Sequence, residues 1–270
     1  MLDHFASATA VEPVDVDPAV GGRFDATIHE GWDIGGNANG GYLLAIAARA
    51  MAETVGRPPL TLTGHYLRPA PAGPCTIDTE VVRAGRRLAT VRGTLSVGGE
   101  PTLTLLGTFG DQQPGGPSLV SRLPVDLPDP DDCVPPPMPT DGLQPELMNR
   151  IRLRMRAEDA GFRHGAPTGR AEMAGWFSLA DDEPMDAIAL MLVADAFAPP
   201  IFNTELPVGW VPTVELTVHV RGVPAPGPLR CSFRSEFIHD SLVDEDGEIW
   251  DSTGALVARS RQLALMPREG

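Results

Sequence analysis

The sequence is poor in cysteine, in long apolar runs and in positive charge, and it contains no lysine. Its 270 residues include three cysteines, which lie far apart and form no Cys-x-x-Cys pair. This spacing argues against a disulfide framework and a structural zinc site, and we expect neither a metal nor a cofactor. The formal net charge of −15 disfavours binding to nucleic acids and to anionic membrane surfaces.

Signals for export or membrane insertion are also missing. The first residues contain no basic segment followed by an apolar core, so no secretory signal peptide is predicted. The longest apolar stretch, residues 187–202, contains Asp195 and two prolines and is too short to span a bilayer. Hydrophobic residues make up 42% and charged residues 21% of the chain, which is typical of a soluble globular protein. We therefore expect a cytoplasmic protein.

The two halves of the chain repeat each other at an offset of 154 residues. Thr63 and Thr217 share this offset, as do the Gly-Pro pairs at 73–74 and 227–228. Each half has an apolar helix followed by strands, with helices predicted at residues 40–54 and 184–197 from their apolar spacing. Pro184 suits the first turn of the second helix and Asp182 its cap.

Short strands separated by Gly, Pro and Asp turns follow each helix and predict antiparallel meanders. The predicted strands are residues 60–67, 75–83, 88–97 and 102–109 in the first half, and 214–221, 229–237, 242–250 and 256–266 in the second. The segment between the halves is rich in proline and is typical of an extended connector. We predict an N-terminal unit at 1–111, a connector at 112–146 and a C-terminal unit at 147–270.

One long helix wrapped by an antiparallel sheet, present twice, resembles the double hotdog proteins. Three motifs narrow this to a resemblance to the type II acyl-CoA thioesterase family: Asn39-Gly40-Gly41, the run from Gly64 to Pro69, and the run from Val82 to Arg86. The resemblance implies an α+β tandem hotdog with two antiparallel sheets, each wrapped around a long central helix. We expect the two sheets to join into one, with both helices on one face, because pairing of free strand edges lowers the risk of aggregation.

The resemblance also implies a catalytic trio of Asp195, Thr213 and Gln262. Family members often carry His after this Asp and Glu after this Gln, whereas this chain has Ala196 and Leu263. An aspartate, a hydroxyl and an amide supply acceptors and donors that together hold one water molecule for thioester hydrolysis. The implied activity is hydrolysis of acyl-CoA to free acid and coenzyme A.

The residues themselves support the three positions unequally. Asp195 lies among apolar residues near the end of its predicted helix, where burial and the helix dipole both disfavour a carboxylate. Gln262 lies on a mostly small and apolar face of its strand. Thr213 alternates with Glu215 and Thr217, a pattern that favours a solvent-facing position. The repeat aligns Thr213 with Pro59 and, if one inserted residue is allowed, Gln262 with Gly107, which predicts one active site per chain.

Other residues are candidates for substrate contacts. Gly40 and Gly41 begin the first helix, whose free N–H groups suit an oxyanion. Arg68, Arg86 and Arg87 are candidate contacts of coenzyme A, since an acidic protein needs a local basic patch to bind a polyanion.

Three interpretations are compatible with the sequence. The first is an acyl-CoA thioesterase, and the second a non-hydrolytic acyl-CoA-binding or dehydratase-like relative on the same fold. A dehydratase is expected to present an Asp/His pair, for which His164 is available, although its surroundings indicate a turn. The third is an interaction protein that acts through its proline-rich connector. By resemblance, we also expect a homodimer of double units, and the arginine-rich stretch 150–156 is compatible with an interface.

Overall fold

The computed structural model describes residues 4–112, 118–139, 145–206 and 209–266. Its α-helices within these ranges are α1 (Phe5–Ala8), α2 (Gly40–Val55) and α3 (Ala189–Val193). Short 3₁₀ helices occupy Pro130–Asp132, Glu146–Asn149, Ala157–His164 and Pro200–Asn203. The longest helix has 16 residues, and no helix in the described ranges combines the length and the apolar character that a membrane span requires.

The strands alternate with tight turns along both halves of the chain. Those before residue 112 are β1 (Val11–Asp17), β2 (Gly21–Ile28), β3 (Asp33–Ile34), β4 (Asn37–Ala38), β5 (Pro59–Tyr66), β6 (Gly73–Ala84), β7 (Leu88–Val97) and β8 (Glu100–Gly110). Those after residue 150 are β9 (Ile151–Met155), β10 (Glu172–Leu179), β11 (Thr213–Val220), β12 (Leu229–Arg234), β13 (Ile238–His239), β14 (Leu242–Trp250) and β15 (Leu256–Leu265).

All strands except the short pair β3 and β4 belong to one antiparallel sheet. The order is β1-β2-β6-β7-β8-β5-β11-β15-β14-β12-β10-β9, and β13 pairs with β14. The two halves meet where β5 pairs with β11. The expected joining of the sheets is therefore present as a single continuous sheet, rather than as two sheets each closed around its own helix.

The pairing register reproduces the sequence repeat. Thr63 lies directly opposite Thr217 at the junction, and their hydroxyl groups are hydrogen-bonded at 2.9 Å. Leu62 pairs with Gly107 in the first half as Leu216 pairs with Gln262 in the second. The repeat alignment that matches Gly107 with Gln262 thus has a direct counterpart in the hydrogen-bond ladders.

Helix α2 agrees with its prediction within one residue at the C-terminus. The Asn39 side chain accepts a hydrogen bond from the N–H of Tyr42 and caps the N-terminus. Gly56 ends the helix at φ 62°, a left-handed conformation that favours glycine. Eleven of the 16 helix residues are buried, so α2 is enclosed on most sides, which agrees with its scarcity of polar residues.

The prediction of a second long helix was wrong. Helix α3 has five residues, and Pro184 and Asp182 lie outside it. Asp186 takes the capping role, since its Oδ1 atom accepts hydrogen bonds from the N–H groups of Ile188 and Ala189. The residues around α3 are still deeply buried, because they pack in the same apolar core as α2. This segment is therefore stabilised by burial in the core and not by the hydrogen bonds of a long helix.

The eight predicted strands are all present with small shifts at their ends, except that the 229–237 strand ends early at Arg234. Strands β1 to β4, β10 and β13 had not been predicted. The arginine-rich stretch 150–156 contains β9, in which Arg152 and Arg154 point to solvent between buried apolar residues. These charges lie on an edge strand, where they disfavour pairing with another sheet.

The proline-rich connector packs against the second half where it is described; residues 113–117 and 140–144 of the predicted 112–146 segment lie outside the described ranges. The Trp176 ring nitrogen donates to the carbonyl of Pro128 at 2.9 Å. Val134 forms a bridge with Met155. The connector therefore lies close along the sheet of the second half.

Candidate active site

A cavity of about 590 Å³ lies between the two halves of the chain. Its walls come from the N-terminus of α2, the end of β5, the segment after α3, the inner faces of β11, β14 and β15, and the connector. The connector contributes Pro136, Pro137, Met138 and Pro139. The volume is typical of a site for a small organic ligand.

Asp195, Thr213 and Gln262 all line this cavity. They come from three separate elements: the turn that follows α3, the start of β11 and the middle of β15. The fold thus brings together, in one space, the three residues that the sequence assigned to one reaction.

The Asp195 carboxylate faces the N-terminus of α2. Its Oδ2 atom accepts hydrogen bonds from the N–H of Gly41 and from the Asn39 side-chain amide, both at 2.9 Å. The same Asn39 amide donates to the Asp195 carbonyl at 2.8 Å. The positive end of a 16-residue helix favours a carboxylate at this position. The expected dipole cost from its own helix is small, because α3 is short and ends before Asp195.

These contacts oppose the effect of burial on the acidity of Asp195. Burial raises its pKa from 3.8 to about 6, while the hydrogen bonds from Gly41, Asn39 and Gly40 act in the opposite direction. A carboxylate with this pKa is ionised at neutral pH and is basic enough to accept a proton from water in a transition state.

Thr213 faces the cavity because of a β-bulge. The register of β11 against β15 shifts between Thr213 and Glu215, so Thr213 lies opposite Ala264, whereas Glu215 lies opposite Leu263. Directly paired residues share a face of the sheet, and Ala264 lies on the same face as Gln262. The solvent-facing position expected from alternation was therefore wrong, since the bulge turns Thr213 to the inner side.

Gln262 occupies the inner face predicted for it and is 6% exposed. Its Oε1 atom is buried and has no hydrogen-bond partner among the described residues. A buried amide oxygen without a donor is costly.

Gly40 and Gly41 begin α2 as predicted, but their N–H groups do not face a free oxyanion position. The N–H of Gly41 donates to Asp195, and the N–H of Gly40 acts on the same carboxylate. Asp195 has taken the place of the expected external anion. A Cβ atom on Gly41 would lie 2.5 Å from the carbonyl oxygen of Met191, so only glycine permits this close approach.

The three candidate arginines separate in the structure. Arg68 lines the cavity and forms an ion pair with Glu100. Arg86 and Arg87 lie in the turn between β6 and β7 and do not line the cavity. The basic residue that sequence analysis missed is Arg163, which lines the cavity from the 3₁₀ helix Ala157–His164.

Glu245 is the second carboxyl group of the cavity and was also missed. It lies on β14 directly opposite Gln262. Burial, followed by the charges of Asp195 and Asp246, raises the pKa of Glu245 well above its usual value. The alternation of Val243, Glu245, Gly247 and Ile249 carried the signal, because it places a carboxyl group on an apolar face.

Two family models match the chain and together cover most of it. The model of the acyl-CoA thioesterase N-terminal domain matches residues 28–110, and that of the acyl-CoA thioesterase C-terminal domain matches residues 130–266. An uncharacterised protein of Mycobacterium tuberculosis is 26% identical over 98% of this chain and 99% of its own length.

Solved structures share the architecture over its full length. A candidate thioesterase II from Thermobifida fusca is 28% identical, with a TM-score of 0.87 over 99% of this chain and 100% of that one. A protein of unknown function with a hotdog fold from Alicyclobacillus acidocaldarius is 23% identical, with a TM-score of 0.84 over 100% of both chains. The second similarity shows the fold alone.

Proposed function

Since the chain belongs to the acyl-CoA thioesterase family and is a thioester hydrolase, we propose that it cleaves acyl-CoA with a water molecule held by Asp195, Thr213 and Gln262. The observation that carries this proposal is their meeting in one cavity. The trio was assigned by resemblance, and simple alternation along the strand had put Thr213 on the solvent face. The position of all three residues in one cavity supports the proposal independently of that resemblance.

The proposed reaction needs no covalent enzyme intermediate. Asp195 accepts a proton from the bound water as the water oxygen forms a bond to the thioester carbonyl carbon. The tetrahedral intermediate then breaks its carbon–sulfur bond, and the coenzyme A thiolate leaves. Asp195 then gives its proton to the thiolate sulfur or to solvent, and this step restores the carboxylate.

The hydrogen-bonding capacities of the trio match the needs of the water. One water hydrogen is directed to the Asp195 carboxylate and the other to the Thr213 hydroxyl oxygen. The Gln262 amide nitrogen donates to one lone pair of the water, which leaves the second lone pair for attack. Gly40, at the positive end of α2, forms part of the cavity wall. This end of the helix favours negative charge on Asp195 and on the thioester carbonyl oxygen in the tetrahedral intermediate.

The remaining walls suit the two parts of an acyl-CoA molecule. Apolar side chains, including Leu43, Phe197 and Phe233, provide a surface for an acyl chain. Arg68 and Arg163 are the basic residues of the lining, and we assign them to the phosphates of coenzyme A. Arg86 and Arg87 are not part of this lining.

Of the alternative functions, acyl-CoA binding without hydrolysis or a dehydratase-like activity, the dehydratase-like one is less well supported by the lining. In the described ranges, no histidine lines the cavity, and His164 is exposed at the end of its 3₁₀ helix. An Asp/His pair is therefore missing from these walls. The carboxylate, hydroxyl and amide that are there suit hydrolysis.

The decisive experiment measures free thiol released from a panel of acyl-CoA esters of different chain length. We expect wild-type protein to release thiol and Asp195→Asn to release far less at equal folded concentration. A wild-type protein that binds acyl-CoA without releasing thiol would contradict the proposal in favour of a non-hydrolytic function. Disappearance of an enoyl absorbance without thiol release would favour the dehydratase.

A further inference from the structure

Glu245 and Gln262 form a pair of polar side chains on the inner face of the sheet. They lie directly opposite each other on adjacent antiparallel strands, where Cβ atoms are about 5 Å apart. Both line the cavity that contains Asp195. The surrounding residues on this face of β14 are Val243, Gly247 and Ile249, so Glu245 is isolated from other polar groups of its own strand.

Each member of the pair lacks what the other can supply. Within the described part of the chain, the Gln262 Oε1 atom is a buried acceptor without a donor, and the partly exposed Glu245 side chain forms no hydrogen bond or ion pair. The nearby arginine, Arg261, is engaged with Asp246 on the outer face through two contacts of 2.9 Å. No cation is therefore directed to Glu245 from its flanking positions on β14 and β15.

We propose that Glu245 is a neutral carboxylic acid that donates its proton to Gln262 Oε1 and thereby fixes the orientation of the Gln262 amide. Glu245 is a positioning residue in this inference, since it acts through Gln262. The inference rests on the proposed function, because it assigns a role within the same water-holding trio.

The orientation of the amide matters because its two ends have opposite hydrogen-bonding properties. With Oε1 held by Glu245, the Nε2 group faces the cavity and donates to the water. A reversed amide would present a third acceptor, besides Asp195 and Thr213, to a water that has two hydrogens. Burial and the negative charge of Asp195 raise the pKa of Glu245, which favours the protonated form that the proposal requires.

Two substitutions of Glu245 with side chains of similar length distinguish a role as hydrogen-bond donor from a role as negative charge. Glu245→Gln keeps an N–H donor for Oε1 and removes the possibility of ionisation, whereas Glu245→Met removes both. We expect Glu245→Gln to retain kcat within about threefold and Glu245→Met to lose about 10- to 100-fold in kcat, with KM little changed. Glu248→Gln is the matched control, because Glu248 lies on the same strand and pairs with Arg122 away from the cavity.

Steady-state kinetics of thiol release on the full chain, with circular-dichroism melting of each variant, tests this expectation. Equal loss in both Glu245 variants would show that the charge matters and would overturn the inference, as would full activity of Glu245→Met. In a Gln262→Ala background, Glu245→Met should cost nothing further, since the amide it orients is gone. An additive loss there would overturn the inference even if the single variants behaved as expected.

Failure of the proposed function gives a different result. A wild-type protein that releases no thiol from any acyl-CoA would overturn both proposals. An active wild type that is disabled by Asp195→Asn but not by Glu245→Met would overturn the role of Glu245 alone.

Discussion

The backbone N–H of Gly41 donates to the Asp195 carboxylate at 2.9 Å, which joins the first half of the chain to the second at the point of proposed chemistry. The N-terminus of α2 thus supplies the electrostatic setting for a carboxylate that belongs to the other half. Neither half contains the site alone. The proposed base, Asp195, comes from the second half, and the hydrogen bonds from Asn39 and Gly41 that lower its pKa come from the first.

Replacing Asp195 by Asn should lower kcat by about 10²- to 10⁴-fold, because the variant has no base to accept the proton of the water. Asn retains one oxygen that can accept from Gly41, so the fold should persist. Thiol release and thermal melting are to be measured on the same preparation. Near wild-type turnover with an unchanged melting curve would exclude Asp195 as the base.

The pH dependence of kcat/KM should follow the ionisation of Asp195. Its pKa is raised by burial to about 6, and only the ionised form accepts a proton. The rate should therefore be level above about pH 7 and fall toward tenfold per pH unit below pH 6. Asn39→Ser supplies the control, since serine can still cap α2 but has no amide to donate to Asp195.

Loss of that amide removes a contact that lowers the pKa of Asp195. In Asn39→Ser the acidic limb should therefore move to higher pH, with activity at pH 8 less affected than at pH 6. A limb that stays in place would show that another group controls it.

Thr213→Val should reduce kcat by about tenfold or more, because it keeps the β-branched shape but removes the hydroxyl that accepts from the water. Thr213→Ser keeps the hydroxyl and should restore most of the activity. Thr217 lies on the same strand, β11, and its hydroxyl group is hydrogen-bonded to that of Thr63 away from the cavity. Thr217→Val is therefore a matched control. Equal effects of the Val changes at 213 and 217 would contradict the proposed role.

Sequence patterns predicted the regular helix and strands of the fold better than its local irregularities, such as the β-bulge in β11. Apolar periodicity located α2 and eight of the strands, since those elements bury one face or stripe over many residues. The β-bulge before Glu215 has no such signature, because one extra residue reverses the face without changing the composition. Alternation alone therefore placed Thr213 on the wrong side.

Other errors in prediction have equally local causes. The apolar run around α3 looked helical, but an apolar segment buried by its neighbours can be ordered without continuous helical hydrogen bonds. The sequence did not show which group accepts hydrogen bonds from the N-terminus of α2. In the structure this acceptor is Asp195, which lies 154 positions after Gly41 in the chain. Glu245 was visible in the alternation of β14 but had no family motif to draw attention to it.

Assembly into a homodimer of double units remains a prediction, based on the preference of protein oligomers for closed twofold symmetry. Light scattering at micromolar concentration should give the mass of two chains. A one-chain mass would contradict it and would leave the catalytic assignment untouched.

The pairing of β5 with β11 has a consequence for how the enzyme responds to dilution. In an assembly of separate single-unit subunits, a site shared between two chains is governed by mass action and is lost when the subunits dissociate. Here Asn39 and Gly41 reach Asp195 within one covalent chain, so their encounter is intramolecular and independent of concentration. The specific activity per chain should therefore stay constant at nanomolar concentrations, whatever larger assembly forms or falls apart.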